Sequence, residues 1–144
     1  PSGLLAALYK EGYLGKKNGK GFYSYSGRKR GKPDASVYKM NPAGTGGATI
    51  PPDEIVDRAV LLMVKEAALC LEEKIIDRPD LLDAALIFGI GFPPFRGGLL
   101  KYADTISAKA IVEKLEGYTQ KYGERFALPA SLVEMAKSGK GFYR

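Results

Sequence analysis

The apolar positions of the chain fall into one long block and several short ones. From Glu54 to Asp77 the sequence runs 24 residues without Gly or Pro. Apolar side chains recur at Ile55, Ala59, Leu62, Met63, Ala67 and Cys70, the three-and-four spacing of a helix. The middle of the block, Ala59 to Val64, is apolar on nearly every side. A helix of that kind is surrounded by partners instead of lying on a surface. At 1.5 Å per residue it would be about 36 Å long. Its uninterrupted apolar core is far shorter than the roughly 20 residues a bilayer requires. The pattern predicts the central helix of a small all-α domain.

The shorter blocks arrange themselves around it. Residues 2–11 predict a short helix capped by Ser2 and ended by Gly12. A glycine-rich loop follows, then an extended stretch at Phe22, Tyr23 and Tyr25, residue types that favour strands. Arg28 to Gly47 shows no sustained period and reads as an irregular connector. Thr49 or Asp53 is the expected cap of the central helix, near Pro51 and Pro52. Asp77-Arg78-Pro79-Asp80 predicts the next helix start, with Asp77 as cap and Gly89 as the stop. Gly89 to Gly98 is a loop with two prolines and four glycines. Leu99, Leu100 and Tyr102 read as a short packed turn. Residues 105–122 predict a third helix with Ile111, Leu115, Tyr118 and Tyr122 on one face. Residues 129–137 predict a last short helix beginning at Pro129.

The chain also repeats itself. Gly19-Lys20-Gly21-Phe22-Tyr23 returns as Gly139-Lys140-Gly141-Phe142-Tyr143, an offset of 120. Upstream, Pro1-Ser2-Gly3-Leu4-Leu5 resembles Pro129-Ala130-Ser131-Leu132-Val133 at an offset of 128. A short helix followed by the same pentapeptide suggests the tail of one unit and the whole of a second, related one.

Composition narrows the chemistry. The chain has no His, which excludes Ser–His and Cys–His nucleophile pairs, an HExxH site and a histidine base. Its single Cys, Cys70, cannot form an internal disulfide or build a metal cluster, and it reads as a small buried hydrophobe. The net charge of +6 is uneven: residues 1–50 carry +7 and residues 51–144 carry −1. No signal peptide or membrane span is visible, which suggests a cytoplasmic protein. The N-terminus has no initiating Met, so a piece of a longer protein is expected.

Several motifs invite functional readings. Gly15 to Gly21 resembles a phosphate loop, but its spacing is one residue short, no Ser/Thr follows the Lys, and a helix precedes it. Gly89-Ile90-Gly91 begins like a dinucleotide fingerprint, but Pro93 and Pro94 stand where a helix would start. The basic run from Lys16 to Lys32, with Phe22, Tyr23 and Tyr25 interleaved, reads as a solvated loop near a domain junction. The alternative is a basic interaction module for nucleic acid, or a contact to a phosphate-bearing coenzyme. Glu66, Glu72, Glu73 and Asp83 read as surface or helix-end charges. Glu66 is the one expected to be partly buried and paired with Arg96 or a backbone donor. Arg96, between Phe95 and Gly97-Gly98, reads as a cap on helix carbonyls, with an anion clamp as the alternative.

Taken together, these motifs resemble the C-terminal 3-hydroxyacyl-CoA dehydrogenase region of multifunctional fatty-acid oxidation α subunits. The first is Gly12-Tyr13-Leu14-Gly15-Lys16-Lys17-Asn18-Gly19-Lys20-Gly21-Phe22-Tyr23-Ser24-Tyr25. The others are the central Glu66-Ala67, the loop Gly89-Ile90-Gly91-Phe92-Pro93-Pro94, and Gly97-Gly98 with Asp104. The resemblance implies an all-α fold like the C-terminal domain of 6-phosphogluconate dehydrogenase, with the tail of a preceding related domain. Residues 1–27 would close a first dehydrogenase C-terminal copy, 28–50 connect, and 51–144 form a second, degenerate copy. The parent would oxidise L-3-hydroxyacyl-CoA with NAD, using a His–Glu pair and a helper Asn from regions not matched here. No catalytic, cofactor-binding or metal residue carries over, so a scaffold role is expected, inactive alone. The implied partners are the preceding dehydrogenase domains, acyl-CoA in the parent and a thiolase subunit, with no nucleic acid.

Overall fold

The computed structural model describes residues 3–27, 29–42 and 49–143. Ser2, the expected cap of the first helix, Arg28, in the basic run, and residues 43–48, in the expected connector, lie outside the described residues. The chain divides into two compact units, Pro1–Thr49 and Ile50–Arg144.

In the first unit, helix α1 (Gly3–Lys10) ends in a turn at Gly12 and buries Leu8. Strands β1 (Tyr23–Ser26) and β2 (Lys29–Pro33) then form an antiparallel hairpin with a bulge between Tyr23 and Tyr25. A one-turn helix, α2 (Ser36–Lys39), follows and buries Val37. The expected irregular connector is therefore corrected: its first part is strand and helix, and this unit is not all-α. Every residue of β2 is exposed. A strand with no buried face shows no apolar alternation, which is why Lys29 to Pro33 carried no readable period. What holds it is the ladder to β1, together with Arg30 lying over the Tyr23 ring at 4.7 Å. Asp34 fixes the entry to α2 by accepting from the Ser36 N–H (2.9 Å) and hydroxyl (2.7 Å), bonds that lower its pKa.

The second unit is helical throughout its described length. Helix α3 (Pro52–Glu72) starts behind Pro51, with no side-chain cap, so neither Thr49 nor Asp53 serves as one. Asp53 and Glu54 lie in its first turn, where the helix dipole favours them. It stops five residues before Asp77. Lys74 takes a left-handed conformation (φ 56°), and the N–H groups of Ile75 and Ile76 both return to the Cys70 carbonyl. A helix end closed by Lys instead of Gly leaves no signal in composition. Helix α4 (Pro79–Ile90) begins with Pro79 in its first turn, as expected, but the residue at its cap is Arg78, ion-paired with Asp80, and not Asp77. It runs past Gly89 and ends at Gly91 (φ 74°), with the Phe92 N–H returned to the Leu86 carbonyl at 3.1 Å. Phe92 is then buried against the core.

The expected packed turn at Leu99 is a full helix, α5 (Leu99–Ile106). The expected helix 105–122 is α6 (Ala108–Tyr122), beginning after Ser107, whose hydroxyl accepts from the Ala110 N–H at 3.4 Å. Ser107 has φ 80° and breaks the chain between the two helices. Helix α7 (Ala130–Ser138) begins behind Pro129. Its first turn is held by Glu72 at the end of α3, which accepts from the Ser131 N–H (3.2 Å) and hydroxyl (2.8 Å).

The core of this unit is a cluster of buried side chains from α3, α5, α6 and α7, among them Leu61, Val64, Leu100, Ile111, Leu115 and Leu132. Each such burial is worth about 1.5–3 kcal/mol. The buried residues of α3 are Leu61, Val64, Ala67 and Ala68, with Leu62, Met63 and Cys70 partly buried against the same cluster. At about 100° per residue, Leu61, Val64 and Ala68 project roughly opposite to Ile55, Ala59, Leu62 and Cys70. Helix α3 thus has two apolar faces. One fills the core; the other borders an open groove of about 390 Å³ whose lining includes Leu62, Met63, Cys70, Leu86 and Ile90. Among the described residues, no helix is long and apolar enough to cross a membrane.

Candidate functional site

The motif residues converge on a junction built from two aspartates. Asp83 sits on α4 at 3% exposure, corrected here from the surface charge expected. Its carboxylate accepts from the N–H of Leu100 (2.7 Å) and of Lys101 (3.0 Å), the first turn of α5. Its Oδ2 also accepts from the Tyr143 hydroxyl at 2.8 Å. A helix N-terminus presents unpaired N–H groups and partial positive charge, so a carboxylate is its natural cap. This cap comes from another helix, 17 residues back along the chain. Burial, and then the bond to Asp83, raise the pKa of Tyr143 well above the usual tyrosine range, so the phenol stays protonated as donor.

Asp104, near the end of α5, supplies the second anchor. It accepts from the N–H of Phe142 (2.8 Å) and of Tyr143 (3.0 Å). Phe142 packs against the core cluster, and the Lys101 ammonium lies 4.8 Å from the Tyr143 ring centre. The carboxylates meet backbone at two glycines. A Cβ on Gly98, whose φ is 121°, would overlap the Asp83 carboxyl group. A Cβ on Gly141 would lie 2.5 Å from an Asp104 oxygen. Both positions need glycine for close approach.

The remaining motif residues have structural placements. Gly97 (φ 80°) ends the 3-10 turn Pro94–Arg96, which Pro93 precedes. Gly89 lies inside α4, and Gly91 ends it. In the first unit, Gly15 (φ 71°) donates its N–H to the Lys20 carbonyl at 2.6 Å, and Gly19 has φ 81°. Gly21 is buried, close enough to Gly15 that a Cβ would stand 2.9 Å from its Cα. The loop is closed by Asn18, whose side chain donates to the Gly12 carbonyl at 2.5 Å. Phe22 is 48% exposed, and Tyr23 lies in β1.

Two expectations are overturned here. Glu66 is not buried: its side chain is 67% exposed and pairs with Lys65 at 3.7 Å. It sits on the groove face of α3, where solvent reaches it. Among the described residues, no helix carbonyl accepts from Arg96, which was expected as a helix cap. Its guanidinium lies over the Tyr102 ring at 4.9 Å and the Phe95 ring at 5.6 Å.

The loop Gly89-Ile90-Gly91 does not have the geometry of a dinucleotide fingerprint. Gly89-Ile90-Gly91 closes the C-terminal end of a helix, where carbonyls point outward and the dipole repels phosphate. A dinucleotide fingerprint requires a helix N-terminus after a strand. Among the described residues, no three His, Cys, Asp or Glu side chains gather as a metal site. Asp104 stood in a motif of the sequence without an assigned role, and Asp83 read as a surface charge; their part in holding Phe142 and Tyr143 was not legible. The available signal was an acid flanked by apolar residues, Leu82 and Ala84, ahead of a Gly-Gly pair.

No family model matches the chain. It is 51% identical over 134 residues to the fatty acid oxidation complex subunit alpha of Shewanella amazonensis, a match covering 90% of this chain and 18% of that one. The subunit of the same name from Vibrio vulnificus is 43% identical over 136 residues, covering 94% and 19%. The chain thus spans about a fifth of the length of the curated relatives it matches. Among solved structures, the dehydrogenase part of multifunctional enzyme 1 from C. elegans aligns with TM-score 0.64 at 21% identity, over 93% of this chain and 32% of that one. In sequence the chain matches the C-terminal region of fatty acid oxidation complex α subunits, and its fold resembles part of a multifunctional enzyme's dehydrogenase.

Proposed function

We propose that this chain is a non-catalytic scaffold within an NAD-dependent L-3-hydroxyacyl-CoA dehydrogenase of fatty-acid β-oxidation. In this reading, residues 1–27 close a first C-terminal copy of the dehydrogenase helical domain. Residues 28–50 lead across, and residues 51–144 are a second copy of the kind found in 6-phosphogluconate dehydrogenase. The scaffold would hold the preceding dehydrogenase domains around acyl-CoA and offer a face to a thiolase subunit, in the cytoplasm. NAD, where bound by the parent, accepts the hydride; no residue of this chain is assigned to it.

The observation that carries this reading is the fate of the motif residues. Asp83 accepts from the Leu100 and Lys101 N–H groups and the Tyr143 hydroxyl, and Asp104 from the Phe142 and Tyr143 N–H groups, so these polar groups are spent on bonds within the unit. The second apolar face of α3 supports it as well, because a scaffold needs surfaces that neighbouring domains cover. A hydroxyl-to-ketone oxidation needs a base near neutral pKa, and the chain has no His.

The test uses the purified chain and the protein expressed from its complete reading frame. The chain alone is expected to give no NAD reduction with 3-hydroxyacyl-CoA. The complete protein is expected to turn over, and to lose at least about tenfold in turnover when Asp104→Ala loosens the scaffold, since small misplacements are costly to rate. Turnover by the chain alone, or a complete protein without dehydrogenase activity, would sink the proposal.

A further inference from the structure

The first unit gathers positive charge that its own fold leaves unanswered. Between Glu11 and Asp34 the sequence has seven Lys or Arg and no acid. Lys16, Lys17, Lys20, Lys29, Arg30 and Lys32 are all exposed. Among the described residues, none of these six stands in an ion pair. Asp34, the acid nearest to them downstream, is turned onto Ser36. Backbone pairing draws the cations together. Lys20 bridges both Gly15 and Ser24, and the Tyr25 N–H donates to the Gly19 carbonyl at 3.2 Å, so the loop 15–20 lies along β1. Strand β2 pairs with the same β1. Paired segments lie about 5 Å apart, less than the roughly 8 Å over which physiological salt screens charge. The cations therefore repel one another, and an anionic surface brought against them relieves that repulsion.

We propose that the loop 15–20 and strand β2 form a peripheral contact for a lipid bilayer bearing anionic headgroups. This goes beyond the scaffold reading and does not depend on it. Clusters of about four to eight Lys and Arg hold proteins to such bilayers. The shape of the patch favours a plane over a strand of nucleic acid. Every residue of β2 is exposed, so the hairpin projects and walls no groove. A single-stranded nucleic acid needs such a groove and open aromatic faces on which its bases stack. Here Arg30 lies over the Tyr23 ring at 4.7 Å, and Tyr25 is half-buried. Five of the six cations are Lys, compact point charges on flexible stems, which suit a fluid layer of headgroups better than a fixed bidentate partner. Among the described residues no helix crosses a membrane, so the contact is made by charge at the surface.

Sedimentation with lipid vesicles tests this on the 144-residue chain and on the protein from its complete reading frame. Both are expected to bind mixed phosphatidylcholine–phosphatidylglycerol vesicles, to leave phosphatidylcholine vesicles unbound, and to be released by raised salt. Lys17→Gln, Lys29→Gln and Lys32→Gln together are expected to weaken binding about 100-fold, at roughly fivefold per cation. Lys109→Gln, Lys137→Gln and Lys140→Gln together remove the same charge from exposed positions of the second unit. They are expected to weaken binding less than about threefold, which separates the patch from net charge. Failure of either sample to bind, equal binding to both kinds of vesicle, or equal losses from the two triple variants would overturn the proposal. So would a mixed-sequence oligonucleotide that displaces the vesicles at equal phosphate, which would assign the patch to nucleic acid. None of these results touches the turnover test of the scaffold.

Discussion

At the scale of single residues, the second unit depends on where it has no side chain. Gly98 combines φ 121° with a position that the Asp83 carboxyl group occupies. Gly98→Ala therefore meets both backbone strain and overlap, and is expected to cost about 3 kcal/mol or more, read as a lower urea midpoint. Gly117, where a Cβ meets nothing within 4 Å, is the control: Gly117→Ala in the middle of α6 is expected to stabilise by up to about 1 kcal/mol. The sequence announced that Gly97-Gly98 was special but not what it made room for. An aspartate on an apolar helix looks the same whether it faces water or caps another helix 17 residues away. Glu66 is the converse case. It drew attention for lying among apolar residues, yet those neighbours line an open groove and the carboxylate stays in water.

At the scale of elements, periodicity located α3 and α6, whose buried residues, such as Leu61, Val64 and Ala68 or Ile111 and Leu115, recur every three or four positions. Proline marked the beginnings of α4 and α7 correctly, since the first turn has N–H groups to spare. Periodicity failed on which face of α3 is inside. Both faces are apolar, and the stripe at Ile55, Ala59 and Leu62 belongs to the outer one. Substitution separates the two. Leu61→Ala, at 1% exposure, is expected to cost about 2–5 kcal/mol, whereas Leu62→Ala, half-buried beside the groove, is expected to cost clearly less. Urea melts of the two variants side by side would decide it; equal losses would contradict the assignment of faces.

The start of α3 is also tied to the end of α6 by charge. Lys121 lies 3.1 Å from Glu54, Lys114 lies 2.5 Å from Asp57, and the Tyr122 hydroxyl donates to Glu54. The Tyr122 bond, with Lys121 behind it, lowers the pKa of Glu54 below its ordinary 4.5. A carboxylate with a lowered folded pKa binds fewer protons folded than unfolded. Its contribution is present above pH 4.5 and lost as the pH falls through the folded value. Glu54→Gln is thus expected to flatten the acid limb of the melting midpoint against pH while shifting it little between variants at pH 3. A parallel acid limb would show that Glu54 is not the group responsible.

At the scale of the whole molecule, one pentapeptide occurs twice, at residues 19–23 and 139–143, and that repeat was legible because an identical run is hard to overlook. Its mechanical meaning was not, because the aspartates that grip it are single letters far away in sequence. That separation has a consequence for the order of folding. Tyr143 lies 60 residues beyond Asp83. A chain emerging from the ribosome at about 5–20 residues per second exposes α4 several seconds before the hydroxyl that completes its carboxylate. Until then Asp83 would enter the interior with part of its hydrogen-bonding capacity unfilled, a penalty that opposes early burial. The unit is thereby timed by its last residues: α3 to α6 can form and meet as they appear, but the closing of their core waits for Gly141-Phe142-Tyr143 to arrive.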